Sequence, residues 1–284
     1  MDQVKKQIDK RPEEQSLTFA ITAVISIIIL WSILNRGVLS LHGDFYFTGA
    51  QLMIIDGIIR GVFAILAMIV LGKIIQSNGF KFSFTTLGFK KGVFAHAPLL
   101  LLLLAAPFIV LSMLDASLTF TNVMTWLGPM AVFDIGNAVW EEVLWRGVLM
   151  TGMLIFWSST WEDKPTVRKR VLLMLICSLA FGLIHFNGGL LHIASATVMG
   201  TIFSAAYIYS KNLLACSIVH ALINYILRAI FFMFDDLELG IMLFTRFLIV
   251  NTVLGIIAVP FAILLTIKAE PFWPEAEVLQ EYNQ

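Results

Sequence analysis

The sequence predicts an all-α, polytopic membrane protein: eight transmembrane helices around a polar cavity within the membrane. Three observations carry this. Of the 284 residues, 59% are hydrophobic and only 13% are charged, whereas a soluble domain is about half apolar and a quarter charged. Apolar runs long enough to cross a bilayer recur along the chain, each needing about 20 residues. Lysine and arginine cluster in alternate connections between those runs, as cytoplasmic loops do.

The expected spans are 17–35, 52–72, 92–114, 128–156, 171–187, 191–209, 212–233 and 241–267. The first follows a basic tail, but its apolar run exceeds an ordinary signal-peptide core and no small-residue cleavage site follows, so it reads as an anchor. The span over 191–209 is the most polar, with His192 and several Ser, Thr and Gly residues. Basic clusters precede the first span (Lys5, Lys6, Lys10, Arg11) and separate the second from the third (Lys73, Lys81, Lys90, Lys91) and the fourth from the fifth (Lys164, Arg168, Lys169, Arg170). Lys211 and Lys268 continue the pattern, and the intervening loops carry Arg36 alone. The expectation is a multi-pass cell-membrane protein with both termini cytoplasmic. Residues 1–16 form one tail, 17–268 a single membrane domain and 269–284 a second tail, with Pro271 and Pro274 stopping the last helix.

Net charge is zero, so nothing points to a nucleic-acid partner. Cys177 and Cys216 sit in apolar runs and read as buried free thiols. Chemistry must come from polar groups inside the bilayer, where each is costly. Asp56 and Arg60, four apart on one helical face, read as a self-neutralised ion pair. Arg228 and Arg246 read as structural or lipid-contacting cations, and Asp235, Asp236 and Glu238 as a solvated outer loop. Asp134 and Asn137 lie near the stretch WEEVLWRG (140–147) and are candidates to line the same cavity.

Three elements stand out: Glu141-Glu142-x-x-x-Arg146, Phe181-x-x-x-His185 and His220-x-x-x-Asn224. Glu142 and Arg146 can pair along one face, which leaves Glu141 about 100° round the helix without that partner. At 1.5 Å per residue from the nearest basic loop, Glu141 and His185 lie roughly 22 Å deep, and His220 and Asn224 about 14 to 20 Å. Three helices can therefore bring these groups to one layer.

Together the three elements, in this order, resemble the CPBP intramembrane endopeptidases, also called Abi or CAAX-processing proteases, whose pattern is EExxxR, FxxxH and HxxxN or HxxxD. The resemblance covers about residues 128–225. Ser204 stands where many members have the second glycine of a GxxxG, a departure that keeps a small residue. The resemblance implies hydrolysis of a peptide bond in a peptide or protein substrate, prenylated or otherwise membrane-tethered. Glu141 would be the general base, His185 its partner in activating water, His220 and Asn224 the oxyanion-stabilising pair, and Glu142 and Arg146 supporting residues. No cofactor is favoured. A zinc-dependent version would use Glu141, His185 and His220, although no HExxH motif is present. The other alternative is a non-catalytic immunity or regulatory module of the same fold.

Overall fold

The computed structural model describes residues 26, 29, 33, 49–77, 88, 123–156, 166–232 and 237–269. Within them the chain is helical: α1 (Gly49–Ser77), α2 (Val123–Glu142), a π-helical segment (Val143–Met150), α3 (Thr151–Phe156), α4 (Val167–Leu183), a 3-10 turn (Phe186–Gly188), α5 (Gly189–Ser210), α6 (Leu213–Phe232) and α7 (Leu237–Lys268). Among the described residues there is no strand. The expected span 92–114 lies outside the described residues, and 17–35 is described only at 26, 29 and 33, which are helical and exposed. The other expected spans each coincide with a helix. Stretches of α1 (Gly49–Val70), of the turn and α5 (Phe186–Ser210) and of α7 (Ile241–Lys268) are long and apolar enough to cross a membrane.

Solvent preference sorts these helices. On α1, Ile58, Val62, Ile65 and Ile69 form an exposed stripe, and on α7 Ile249, Val253, Ile256 and Leu264 do the same. A continuous apolar stripe facing outward is unfavourable in water and natural in lipid. The polar side chains turn inward: Asp134, Glu142, Arg146 and Ser178 are fully buried. Among the described residues this is an all-α membrane protein with a cluster of buried charges inside the bundle.

The packing order is α1 on α2, α2 on α6, and α4 and α7 on α5. Two close approaches decide where the polar groups meet. A Cβ added to Gly57 of α1 or to Gly136 of α2 would collide with the other helix's backbone, so only glycine lets the two come this close. The crossing sets Arg60 beside Asn137 (see below). The second is the turn after α4. Gly189 has φ +79°, a left-handed conformation that glycine adopts without penalty. A Cβ on Gly188 would run into the His192 ring. The two glycines thus fold the chain sharply enough to return His192 over the turn.

Two helix starts are capped by the sequence. The Thr166 side chain accepts from the Lys169 amide at 3.3 Å, starting α4 just after Pro165. Asn212 Oδ1 accepts from the Ala215 amide at 3.0 Å and starts α6, one residue after Lys211 ends α5 at φ 54°. One sequence expectation is corrected: Glu238 belongs to the exposed first turn of α7 rather than to a loop, where its charge suits the helix N-terminus. Asp235 and Asp236 lie outside the described residues.

Candidate active site

The stretch that opens the site changes helical type within itself. α2 ends at Glu142, and Val143–Met150 follows with π-helical hydrogen bonding, a wider turn that recurs at functional sites. Thr151 closes it: its backbone N–H reaches the Arg146 carbonyl, its hydroxyl donates to the same oxygen at 3.0 Å, and that hydroxyl also meets the Tyr207 hydroxyl at 2.8 Å. Arg146 is consequently enclosed. Nη1 donates to Glu142 Oε1 at 3.1 Å, Nη2 donates to the Gly200 carbonyl at 3.1 Å, and the guanidinium lies over the Phe181 ring at 4.8 Å and the Phe203 ring at 5.6 Å. Its charge has nowhere to go but Glu142.

Glu142 Oε1 also faces His220 Nδ1 at 2.8 Å. A carboxylate held by an arginine only accepts, so His220 Nδ1 carries a proton. The other ring nitrogen, Nε2, lies 3.4 Å from Glu141 Oε2. His220 therefore bridges the two adjacent glutamates, with its ring stacked on Phe203 at 4.9 Å between centroids.

Glu141 has a further partner on its own helix: Asn137 Nδ2 donates to Oε1 at 2.8 Å. Asn137 is itself held by Arg60 of α1, whose Nη1 donates to Oδ1 at 2.9 Å. Arg60 also grips Asp56 through Nε at 2.7 Å and Nη2 at 3.2 Å. The Asp56–Arg60 pair read from the sequence is present, but it is more than self-neutralising: it fixes the amide that fixes Glu141. Four carboxylates (Asp56, Asp134, Glu141, Glu142) face three guanidiniums (Arg60, Arg146, Arg228) in this layer. Unbalanced charge is expensive there, and each guanidinium is held against a carboxylate.

His185 follows the last turn of α4, its Nδ1 at 2.8 Å from the Phe181 carbonyl. A carbonyl only accepts, so Nδ1 is the donor and a neutral ring keeps Nε2 as an acceptor. Glu141, His185, His220 and Asn224 all line one cavity of about 490 Å³, shared with Asn137, His192 and Arg228. The helices α2 and α6 and the turn after α4 thus each bring a side chain to one cavity. Glu142 and Arg146 sit behind this wall.

Three further polar members of the cavity outside the motifs bear on its chemistry. His192 is one, its ring 4.9 Å from that of His185. Asn251 of α7, which donates to Ser195 at 2.6 Å, is another. The third is Arg228. Its Nε donates to both oxygens of Asp134, at 3.1 and 3.3 Å, and its guanidinium lies 4.5 Å over the Phe133 ring. Asp134 thus supports the cavity through Arg228. Arg246 is exposed on α7 and takes no part. Cys177 and Cys216 are free and buried. No three His, Cys, Asp or Glu side chains are arranged to hold a metal ion among the described residues.

Residues 122–226 match the family model described as Rce1-like, type II CAAX prenyl endopeptidase. That segment is similar to the CAAX protease family. No curated protein and no solved structure matches the chain. The matched segment begins one residue before α2 and ends within α6, so it contains all three motifs; α1 and α7, which supply Arg60, Asn251, Phe244 and Phe247, lie outside it.

Proposed function

We propose that this protein is an intramembrane endopeptidase in which Glu141 activates water to hydrolyse a peptide bond of a membrane-associated substrate. The observation that carries the reading is the convergence of Glu141, His185, His220 and Asn224 on one cavity inside an otherwise apolar helix bundle. A water has two protons to give, and this site offers two acceptors: a Glu141 oxygen and His185 Nε2. Held by both, its oxygen lone pair is free to meet a peptide carbonyl.

As the C–O bond forms, the water proton passes to Glu141 and the carbonyl π electrons move onto oxygen. The Asn224 side-chain amide, with His220 beside it, supplies donors for that oxyanion; one such donor is worth about 3–4 kcal/mol. When the tetrahedral intermediate collapses, the C–N bond breaks and Glu141 returns its proton to the departing amine. Asn137, held by Arg60, keeps Glu141 Oε1 oriented, and Glu142 with Arg146 keeps His220 protonated at Nδ1. Every charge that moves has a fixed neighbour, so little reorganisation is needed in a low-dielectric site.

The basic loops orient both termini toward the cytoplasm. The test is direct: purified full-length protein in nanodiscs, given a library of membrane-associated peptides, is expected to generate new termini seen by mass spectrometry. Glu141→Gln, which keeps shape and hydrogen bonding but removes the base, should abolish them with its thermal midpoint unchanged. Products that persist in Glu141→Gln would defeat the proposal. Turnover is expected to survive chelators, since no step above passes through a metal.

A further inference from the structure

We infer that Ser195 of α5 and Asn251 of α7 form a clamp for the backbone of the substrate, exchanging hydrogen bonds with a peptide group beside the bond that is cut. This rests on the endopeptidase reading for what is cut, but the clamp itself is a binding property. Hydroxyls inside an apolar bundle commonly satisfy themselves on their own helix. Thr197, Thr201, Ser217 and Thr266 each donate to the carbonyl four residues earlier. Ser195 does not. Its Oγ accepts from Asn251 Nδ2 at 2.6 Å, and no other hydrogen bond reaches either side chain among the described residues. The hydroxyl proton, the second Nδ2 proton and Asn251 Oδ1 are therefore uncommitted. Ser195 is 2% exposed, and both residues line the cavity with Glu141 and His220.

Uncommitted donors and acceptors inside a bundle are costly until something polar meets them. A pair that only joined α5 to α7 would need none of them. A protease cavity must receive a stretch of peptide drawn out of helical hydrogen bonding, because a carbonyl bonded within a helix is shielded from attack. Each N–H and C=O freed in this way costs several kcal/mol in a bilayer if it finds no partner. A hydroxyl donor beside an amide that both donates and accepts matches the C=O and N–H of an extended residue. Asn251 lies outside the segment that matches the family model, so no motif assigns it.

The clamp stands close to the catalytic groups. His192, one turn before Ser195 on the same face of α5, has its ring 4.9 Å from that of His185. One such turn is about 5 Å along the helix, and an extended peptide advances roughly 3.3 Å per residue. A peptide whose carbonyl meets Glu141 and His185 thus passes the clamp with a nearby amide. Phe244, Phe247 and Leu248, on the turns of α7 before Asn251, give the same cavity an apolar wall for its side chains.

The probe is dansyl-Leu-Leu-Leu-Leu-Leu-amide, whose side chains are all apolar. It is titrated by energy transfer from tryptophan against full-length Glu141→Gln protein in nanodiscs, with protein-free nanodiscs as the blank. That background has no base, so binding is measured whether or not the parent cleaves. Each backbone amide is replaced in turn by an ester, which removes the N–H and weakens the carbonyl. At one or two positions the ester is expected to weaken binding about threefold to tenfold, the scale of a neutral hydrogen bond. Adding Asn251→Leu should weaken the all-amide peptide to a similar extent and shrink the ester penalty at those positions below about twofold. A merely structural loss would lower amide and ester alike, and comparison between proteins cancels the ester's effect on partition into lipid. Ser195→Ala should give the same coupling with a smaller change, which keeps the test in hand if Asn251→Leu does not fold. No binding of the all-amide peptide, no sensitive position, or an undiminished ester penalty in the folded variants would overturn the clamp.

Discussion

Two aspartate–arginine pairs flank Glu141, and both lay a guanidinium on the same ring, Phe133, at 5.6 Å for Arg60 and 4.5 Å for Arg228. In charge and composition they are alike; in use they differ. Asp56–Arg60 is closed within one helix turn, is buried at both ends, and also donates to Asn137. Asp134–Arg228 joins two helices, is buried at the acid end only, and leaves its fork open to the cavity. A buried ion pair is by itself weak support for stability, because desolvation offsets attraction. What distinguishes these two is what each arginine serves beyond its aspartate: Arg60 holds the amide that holds Glu141, and Arg228 lines the cavity.

The largest effect should come from breaking the closed pair. Arg60→Met leaves Asp56 buried without its cation and Asn137 without its anchor. Removing one partner of a buried pair typically costs about 3–5 kcal/mol, so a clear drop in thermal midpoint is expected together with loss of turnover. If Arg60→Met were as stable and as active as the parent, the closed pair would be no more than inert neutralisation.

Next in size is a change that spares both pairs and cuts the link between them and the site. Asn137→Leu removes the donor to Glu141 Oε1 and keeps Asp56–Arg60 intact. Misplacing a catalytic group by an ångström can cost about 100-fold, and the loss should fall on kcat with KM little changed. A midpoint close to the parent's would separate positioning from folding. Asn137→Asp sharpens the point, since a second carboxylate against Glu141 repels it and should be worse than the apolar variant.

Opening the other pair should do less to the fold. Arg228→Gln leaves Asp134 without its cation, but the arginine end already reaches the cavity, where water screens it. A destabilisation of about 1–2 kcal/mol is expected, discounted for that exposure. Here the kinetic loss should fall on KM, opposite to Asn137→Leu, as measured by initial rates over a range of peptide concentrations. If both variants lowered kcat alone, the division between holding Glu141 and lining the cavity would fail.

How much of this was legible beforehand follows from which interactions are local. The i,i+4 pairs Asp56–Arg60 and Glu142–Arg146 are visible in spacing, because a helix brings those positions together wherever it lies. The common depth of Glu141, His185 and His220 is visible too, since the bilayer fixes helix lengths. What spacing does not carry is the angle at which helices cross. Arg60 reaches Asn137 only because Gly57 and Gly136 let α1 and α2 touch, and each glycine adjoins a polar partner in sequence; that adjacency was the available signal. Spacing reads Arg228 only as a structural or lipid-contacting cation because nothing local pairs with it, its partner Asp134 being 94 residues away. The switch from α to π winding after Glu142 left no mark in composition either.

The smallest effect concerns Ser204, where the sequence departs from the family's usual glycine. A glycine at such a position lets helices approach closely, so the serine would matter if α4 and α5 were held apart by its side chain. They are not. Ser204 is fully buried, and its Oγ lies 3.5 Å from that of Ser178, whose hydroxyl donates its proton to the Met174 carbonyl at 2.5 Å. The contact is long and replaceable. Close approach of α4 and α5 is secured one turn earlier by Gly200, where an added Cβ would sit 3.1 Å from the Phe181 ring. Ser204→Gly therefore exchanges a weak hydrogen bond for a small loss of helix propensity, roughly 1 kcal/mol at most. Its thermal midpoint and turnover should match the parent's, whereas Gly200→Ala should disturb the Phe181 ring on which Arg146 rests and lower both.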